Sequence, residues 1–86
     1  MYATTAEFLG TFLLISVISF IGNAYAVSAA LAIGMILVGG ISGGHFNPAV
    51  SLWAYLSGKI SSSTLSVYVI AQSAAALAVF LLKTVL

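Results

Sequence analysis

A glycine-rich stretch followed by Asn-Pro-Ala interrupts sequence that is otherwise almost wholly apolar, between Ile41 and Val50. Irregular backbone at membrane depth is tolerated only where protein covers it or where it lines a watery cavity. Pro48 suits the first position of a helix because its missing N–H needs no partner there, and Asn47 is a good N-cap. The motif therefore predicts a loop that dips into a bilayer and begins a short helix there, with the positive end of that helix near the midplane.

Charge is nearly absent from the chain, which decides its broad class. Of its 86 residues, 63% are hydrophobic and 3% are charged, whereas a soluble domain carries about 25% charged residues. Only Glu7, Lys59 and Lys83 bear formal charge, so neither a soluble surface nor the basic patch of a nucleic-acid-binding protein is available. One carboxylate, one histidine and no cysteine leave no catalytic constellation and no metal-ligand set. We therefore expect an integral membrane protein that is not an enzyme and has no cofactor.

Three stretches approach the roughly 20 mostly apolar residues that a spanning helix needs. The predicted elements are transmembrane helices at about 6–22, 24–41 and 62–85, with a re-entrant loop and half-helix at about 42–57. Gly22-Asn23 is a turn signal between the first two helices, and Ser57-Gly58-Lys59 is typical of a helix end. The first apolar run lacks a basic segment before it, so we expect a retained helix and not a signal peptide. The predicted fold class is all-α integral membrane, with three transmembrane helices and one half-helix in a single unit.

Three separate blocks of the sequence occur in the order and spacing of a known family. The blocks are Ala6 to Phe12, Ile41 to Val50, and Gly58 to Ser61 together with Tyr68 to Gln72. Together they resemble one repeat of the major intrinsic protein family, the aquaporins and aquaglyceroporins, over nearly all of the chain. An Asn-Pro-Ala alone would be a weak signal. The resemblance implies a passive channel for water or for small uncharged solutes such as glycerol, urea or dissolved gases.

The chain departs from the family pattern in two ways. Family members normally fuse two such repeats in inverted orientation, with six helices and two Asn-Pro-Ala loops, whereas this sequence holds one repeat. The second loop of the family is followed by an Arg, and Val50 stands at the matching position here. A fragment of a longer gene is an alternative, against which we weigh the initiator-like Met1 and the ending after a third helix.

Half a channel implies a partner. A lone repeat would expose the backbone from Gly39 to Phe46 to lipid, where each unsatisfied polar group costs several kcal/mol. An inverted second copy would let two half-helices meet end to end at the midplane, as in other inverted-repeat transport proteins. Lys59 is expected on the side of the N-terminus and Lys83 on the opposite side. Because an excess of lysines on one side sets the orientation, one lysine on each side gives no preference.

We therefore predict an antiparallel homodimer of dual topology, and the family's tetramers suggest four such pairs, or eight chains. Two alternatives stay open. The chain is inserted in one orientation and pairs with a different half-channel, or it is a non-conducting membrane protein that binds or modulates a full-length channel.

The motif residues Asn47, Pro48 and Ala49 are the first candidate site. The side-chain N–H of Asn47 can donate to a passing solute while its oxygen caps the half-helix. Ala49 is small enough to let two half-helices meet. We expect the carbonyl groups of Gly43, Gly44 and His45 to form an acceptor ladder, because glycine permits the strained backbone that such a loop needs. The His45 ring is expected to be a structural hydrogen-bonding group and not a gate.

Two polar residues of the spanning helices are predicted to hold the loop. Glu7 is ionisable and lies within a spanning segment, which marks it as a functional candidate. The resemblance implies that it accepts hydrogen bonds from the re-entrant loop and that Gln72 supports the same loop.

The resemblance also assigns a constriction by counting from Asn47. Its four positions fall on Val27 of one copy and on Met35, Gly44 and Val50 of the other. None has a polar side chain. Such a ring either admits small uncharged molecules beyond water or dewets and conducts water poorly.

Overall fold

The computed structural model describes residues 1–86 and contains four α-helices. They are α1 (Ala3–Phe20), α2 (Ala24–Ser42), α3 (Pro48–Leu56) and α4 (Ser62–Val85). α1, α2 and α4 are long and apolar enough to cross a membrane, whereas α3 has only 9 residues. The predicted all-α class, three membrane-length helices with one short helix, is confirmed.

Side-chain caps begin three of the helices. The side-chain oxygens of Asn23, Asn47 and Ser61 accept hydrogen bonds from backbone N–H groups of the first turns of α2, α3 and α4, at 2.9, 2.8 and 3.1 Å. Each cap satisfies one of the N–H groups that a helix start leaves without an intrahelical partner. These polar residues therefore determine where three of the helices begin, which the hydropathy of the sequence alone does not indicate.

The first helix is displaced from its predicted range. It begins at Ala3 and ends at Phe20, whereas the apolar run predicted about 6–22. Its first turn is polar in sequence yet helical, because the N–H of Ala6 already donates to the carbonyl of Tyr2 at 3.0 Å. Its end is set by Gly22, whose φ of 82° is a left-handed conformation that glycine adopts readily.

α1 is the central helix of the bundle. It packs against both α2 and α4, and α3 packs against α4. Ala6, Ala71 and Ala75 are almost fully buried along the α1–α4 contact, and such short side chains let membrane helices approach closely. The two helices run in the same direction, since Gln72 bonds Glu7 and, farther along both helices, Lys83 donates to the carbonyl of Ser19.

The outer surface is apolar, and its two cations lie at opposite ends. Only 16 of the 86 residues are buried, and large side chains such as Ile36 and Phe80 point outward. Nζ of Lys59, between α3 and α4, lies 5.6 Å from the ring centroid of Trp53. Lys83, in the last turn of α4, lies over the ring of Phe20, the last residue of α1. An apolar surface with lysines near both ends is what spanning helices present to lipid and to the two interfaces.

Candidate functional site

The segment between α2 and α3 reverses the chain through left-handed backbone. Gly43 and Gly44 have φ values of 93° and 65°, which cost glycine little. Phe46 has a φ of 54°, which is uncommon for a residue with a large side chain. Such a conformation persists only where the surrounding structure holds it in place. Two sets of contacts do so here, one to the backbone of the loop and one to the Phe46 ring.

The buried carboxylate of Glu7 holds the backbone of the loop. Its side chain is 0% exposed. Oε2 accepts from the Ser42 hydroxyl at 2.6 Å and from the backbone N–H of His45 at 3.0 Å. Oε1 accepts from the backbone N–H of Phe46 at 2.8 Å and from Nε2 of Gln72 at 3.0 Å. A carboxylate inside a membrane bundle needs such partners, because its desolvation is costly without them.

A second set of polar groups connects the loop to α3 and α4. Ser51 is fully buried, and its hydroxyl lies 2.8 Å from Nδ1 of His45 and accepts from Nε2 of Gln72 at 2.9 Å. The hydroxyl of Tyr68 donates to the carbonyl of Ser42 at 2.8 Å. The ring of Tyr68 also meets the His45 ring edge to face, with centroids 5.2 Å apart. The His45 ring therefore points into the bundle and is held on two sides.

The ring of Phe46 fixes the loop against α1 and α2. The side chain is 3% exposed and lies over Gly10 of α1 and Gly34 of α2. A β-carbon on Gly34 would lie 3.1 Å from the ring, and one on Gly10 would overlap it. Both glycines therefore provide space for this ring, which is why the loop can pass so close to the helices.

Several polar groups of the loop have no hydrogen-bond partner in the chain. No protein donor reaches the backbone carbonyl oxygens of Gly43, Gly44 or His45. Asn47 is exposed; its Oδ1 caps α3 through the N–H of Ala49, and its Nδ2 donates to no protein atom. The loop thus presents a set of free acceptors beside a free donor.

The expectation that a lone copy exposes the whole backbone from Gly39 to Phe46 is wrong in part. Residues through Ser42 are helical. The N–H groups of the next four residues all donate within the chain, to the carbonyl of Gly39, to the Ser42 hydroxyl and to Glu7. The unsatisfied groups are carbonyl oxygens alone. Two of these acceptors, the Gly39 carbonyl and the Ser42 hydroxyl, lie within four residues of their donors, whereas Glu7 lies on α1 and its part was implied by the resemblance.

Two clefts flank the loop. The α1–α2 cleft, of about 250 Å³, is lined by Leu14, Leu31, Met35, Gly44, His45, Asn47 and Val50. The α1–α4 cleft, of about 350 Å³, is lined by Thr11, Leu14, Ile15, Ile18, Phe46, Asn47, Pro48, Gln72, Ser73 and Ala76. Leu14 and Asn47 border both clefts, so the tip of α3 separates the two spaces.

The α1–α2 cleft brings together three of the four constriction residues that the resemblance assigned. Met35, Gly44 and Val50 line it beside Asn47. Val27 does not; it lies eight residues before Met35 on α2, about 12 Å along the helix axis. Glu7 and Gln72 lie behind the loop, and Pro48 and Ala49 form the tip of α3.

Sequence reasoning missed several residues of this site. They are Gly10, Leu14, Leu31, Gly34, Ser42, Phe46 and Ser51. The two serines carry a usable signal, since each adds a hydroxyl to apolar sequence close to the motif and must be paired when buried. The glycines carry no such signal, because helical glycines are frequent in membrane proteins for many reasons.

Comparison with known families decides the wider assignment. The family model described as major intrinsic protein matches residues 1–86. The chain belongs to the major intrinsic protein family. The sequence resemblance is therefore confirmed, and the chain is an integral membrane protein that carries one repeat of this family.

Several curated members of the major intrinsic protein family are similar to it. "Aquaglyceroporin AqpS" of Rhizobium meliloti is 43% identical over 61 residues, which cover 71% of this chain and 26% of that protein. "Glycerol uptake facilitator protein-like 6" of Lactiplantibacillus plantarum is 42% identical over 80 residues, which cover 78% of this chain and 35% of that protein. "Aquaporin Z" of Brucella melitensis is 38% identical over 89 aligned positions, which cover 86% of this chain and 39% of that protein. The matched region is therefore well under half of each relative. No solved structure matches the chain significantly.

Proposed function

We propose that the chain is half of a passive channel for water or small uncharged solutes, completed by an antiparallel second copy. One observation carries the proposal. The loop holds its N–H groups inward on Glu7 while three successive carbonyl oxygens have no donor in the chain. In a membrane such oxygens are costly unless they face water or a solute that can donate to them.

The polar groups of the α1–α2 cleft suit a neutral solute with hydroxyl or amide groups. Gly44, His45 and Asn47 line this cleft, so the free carbonyls of Gly44 and His45 can accept hydrogen bonds in turn and Nδ2 of Asn47 can donate one. The free carbonyl of Gly43 precedes them along the loop. A water or a polyol can exchange bulk hydrogen bonds for these one at a time. Cations are disfavoured, because the N-terminus of α3 carries roughly half a positive charge near the midplane.

An apolar constriction favours solutes larger than water. Met35, Gly44 and Val50 supply no polar side chain to the cleft, and Val27 of the second copy would add none. The names of the similar proteins include an aquaglyceroporin and a glycerol uptake facilitator. We therefore propose glycerol or a solute of similar size and polarity as a permeant beside water.

The pair itself is supported by charge and by the incomplete site. One lysine lies near each end of the bundle, so the lysines give little preference for either orientation in the membrane. Glu7 does not alter this balance, because it is buried within the bundle. The α1–α2 cleft of one copy is partly open at the surface, and a second, inverted copy would close it. Four such pairs, eight chains, would reproduce the four pores of the family's tetramers.

The test is stopped-flow light scattering on proteoliposomes under water and glycerol gradients. Asn47→Asp replaces the free donor with an acceptor and adds negative charge. Asn23→Asp is the matched control, since Asn23 also caps a helix through its side chain but lies outside both clefts. We expect fast shrinkage that Asn47→Asp abolishes and Asn23→Asp preserves. Rates equal to those of empty liposomes would contradict the channel and favour the non-conducting alternative.

A further inference from the structure

The two ring nitrogens of His45 have different surroundings. Nδ1 lies 2.8 Å from the hydroxyl of Ser51 inside the bundle. Nε2 makes no hydrogen bond within the chain, yet it does not belong to the buried polar atoms that lack a partner. A small molecule can therefore reach Nε2 from outside. A neutral imidazole carries its single proton on one of these nitrogens, and the partner of the other nitrogen decides which one.

A series of hydrogen bonds that starts at Glu7 places this proton. The carboxylate only accepts, so the Gln72 amide turns its NH₂ group toward it and donates one hydrogen to Glu7 and the other to Ser51. The hydrogen of the Ser51 hydroxyl then has one acceptor in the chain, Nδ1 of His45. Ser51 is 0% exposed, so an unpaired hydroxyl hydrogen would be costly. Nδ1 is therefore the acceptor, and the hydrogen-bond network assigns the ring proton to Nε2.

The Nε2–H group lies beside Gly43, where the loop begins. A β-carbon on Gly43 would lie 3.1 Å from Nε2, and Gly43 is exposed. A side chain at this position would crowd the nitrogen and cover it. Because glycine has none, the Nε2–H group stays open to a small molecule that approaches the loop.

This donor complements the free acceptors of the loop. The unpaired carbonyl oxygens of Gly43, Gly44 and His45 come next to it, and the free Nδ2 of Asn47 follows them. His45 and Asn47 line the same α1–α2 cleft. A hydroxyl group both donates and accepts hydrogen bonds. Carbonyl oxygens alone would pair only its hydrogen, whereas a donor on each side of them also pairs its oxygen.

We propose that His45 is a specificity-determining residue of the channel, whose Nε2–H donates a hydrogen bond to the permeating solute beside Gly43. This inference rests on the proposed function and adds a donor to the same site. Ser51 and the ring of Tyr68 hold the imidazole from its inner side. The donor is thus already oriented before a solute arrives, which lowers the entropic cost of the contact.

The first test is solid-state NMR of the native chain in liposomes, with the histidine ring isotope-labelled. The chain has a single histidine, so each ring nitrogen gives one signal. At about pH 8, above the range in which histidine ordinarily titrates, we expect the proton on Nε2 and none on Nδ1. We also expect magnetisation transfer between the Nε2–H group and water or labelled glycerol. A proton on Nδ1, or an Nε2–H group without contact to either molecule, would overturn the proposal.

Two substitutions separate the Nε2–H group from the other roles of the ring. Both His45→Gln and His45→Asn remove the ring, lose its contact with Tyr68 and keep the backbone carbonyl. The Gln amide reaches the position of Nε2 and can donate there. The shorter Asn amide reaches only the position of Nδ1, where its oxygen can accept from Ser51.

We expect the glycerol permeability of His45→Asn proteoliposomes to be about two- to tenfold lower than that of His45→Gln, the range that one neutral hydrogen bond corresponds to. A purely structural ring predicts the reverse order, because His45→Asn keeps the bond to Ser51. Equal or reversed permeabilities would therefore overturn the proposal. A native chain without flux would contradict the channel itself, whereas a conducting native chain that fails either test would overturn the role of His45 alone.

Discussion

The ring of Phe46 occupies the space in which a side chain on Gly10 would lie. An ideal β-carbon on Gly10 would stand 2.6 Å from Cδ1 of the ring and closer still to Cε1 and Cζ. The ring has little freedom to move away, because the backbone N–H of Phe46 is held by Glu7 and its side chain is 3% exposed. Gly10 thereby determines how deeply the loop enters the bundle.

Gly10→Ala is therefore expected to displace the loop. Overpacking of a filled interior costs about 1–3 kcal/mol, and here it acts on the segment that presents the carbonyl oxygens. We expect a lower unfolding temperature in detergent and a loss of permeability. The matched control is Gly40→Ala, because a β-carbon there meets nothing within 4 Å. Equal stability of the two variants would contradict the role assigned to Gly10.

Glu7→Gln is expected to destabilise the protein although the side chain keeps its size. An amide offers one oxygen, so two of the four donors that now meet the carboxylate would face an NH₂ group. Hydrogen bonds to charged groups contribute about 1.5–3 kcal/mol each, so we expect a loss of about 3 kcal/mol.

The measurement for Glu7→Gln is thermal unfolding followed by the amount of monodisperse protein in detergent. Lys59→Gln also removes one charge, but at an exposed position where the lysine only lies over the Trp53 ring. We expect that control to remain close to the parent protein. A Glu7→Gln variant as stable as Lys59→Gln would show that the carboxylate does not hold the loop.

Local signals in the sequence predicted the elements of this fold well. Asn47 and Pro48 predict the start of α3 from adjacent residues, and Gly22-Asn23 likewise separates α1 from α2. The contacts that position the loop join residues that are far apart in sequence. Ser51 meets Gln72 across 21 residues, and Phe46 meets Gly10 across more than 30.

Local sequence patterns do not predict long-range contacts of this kind. Gly10 has an ordinary helical conformation, so nothing near it in sequence indicates that it accommodates a ring. The role of Glu7 came from the family resemblance, because an ionisable residue in a spanning helix indicates a function without naming its partners. Leu14 was missed for a related reason. An apolar residue on a spanning helix gives no sign in sequence that it borders two clefts.

Val50→Phe is expected to change solute preference more than stability. Val50 is 39% exposed and lines the α1–α2 cleft, so a larger ring would narrow the space beside Asn47. We expect glycerol permeability to fall more steeply than water permeability in proteoliposomes. Val67→Phe is the matched control, because Val67 is 42% exposed on α4 and lines neither cleft. An unchanged glycerol-to-water ratio would mean that Val50 does not line the constriction.

The antiparallel pair also predicts a dependence on lysine placement. Ser63→Lys with Lys83→Gln puts both lysines near the start of α4, and Lys59→Gln with Leu86→Lys puts both near its end. Because lysine-rich ends stay on the cytoplasmic side, the two double variants should insert in opposite orientations. A reporter on the C-terminus measures the orientation of each, and the native chain should give both signals.

The most direct measurement is the permeability of cells or vesicles that contain these two double variants, singly and together. If the channel is an antiparallel pair, each variant alone should be as impermeable as the empty membrane, and co-expression should restore water and glycerol flux to the level of the native chain. Full flux from either variant alone, with all of its termini on one side, would contradict the account.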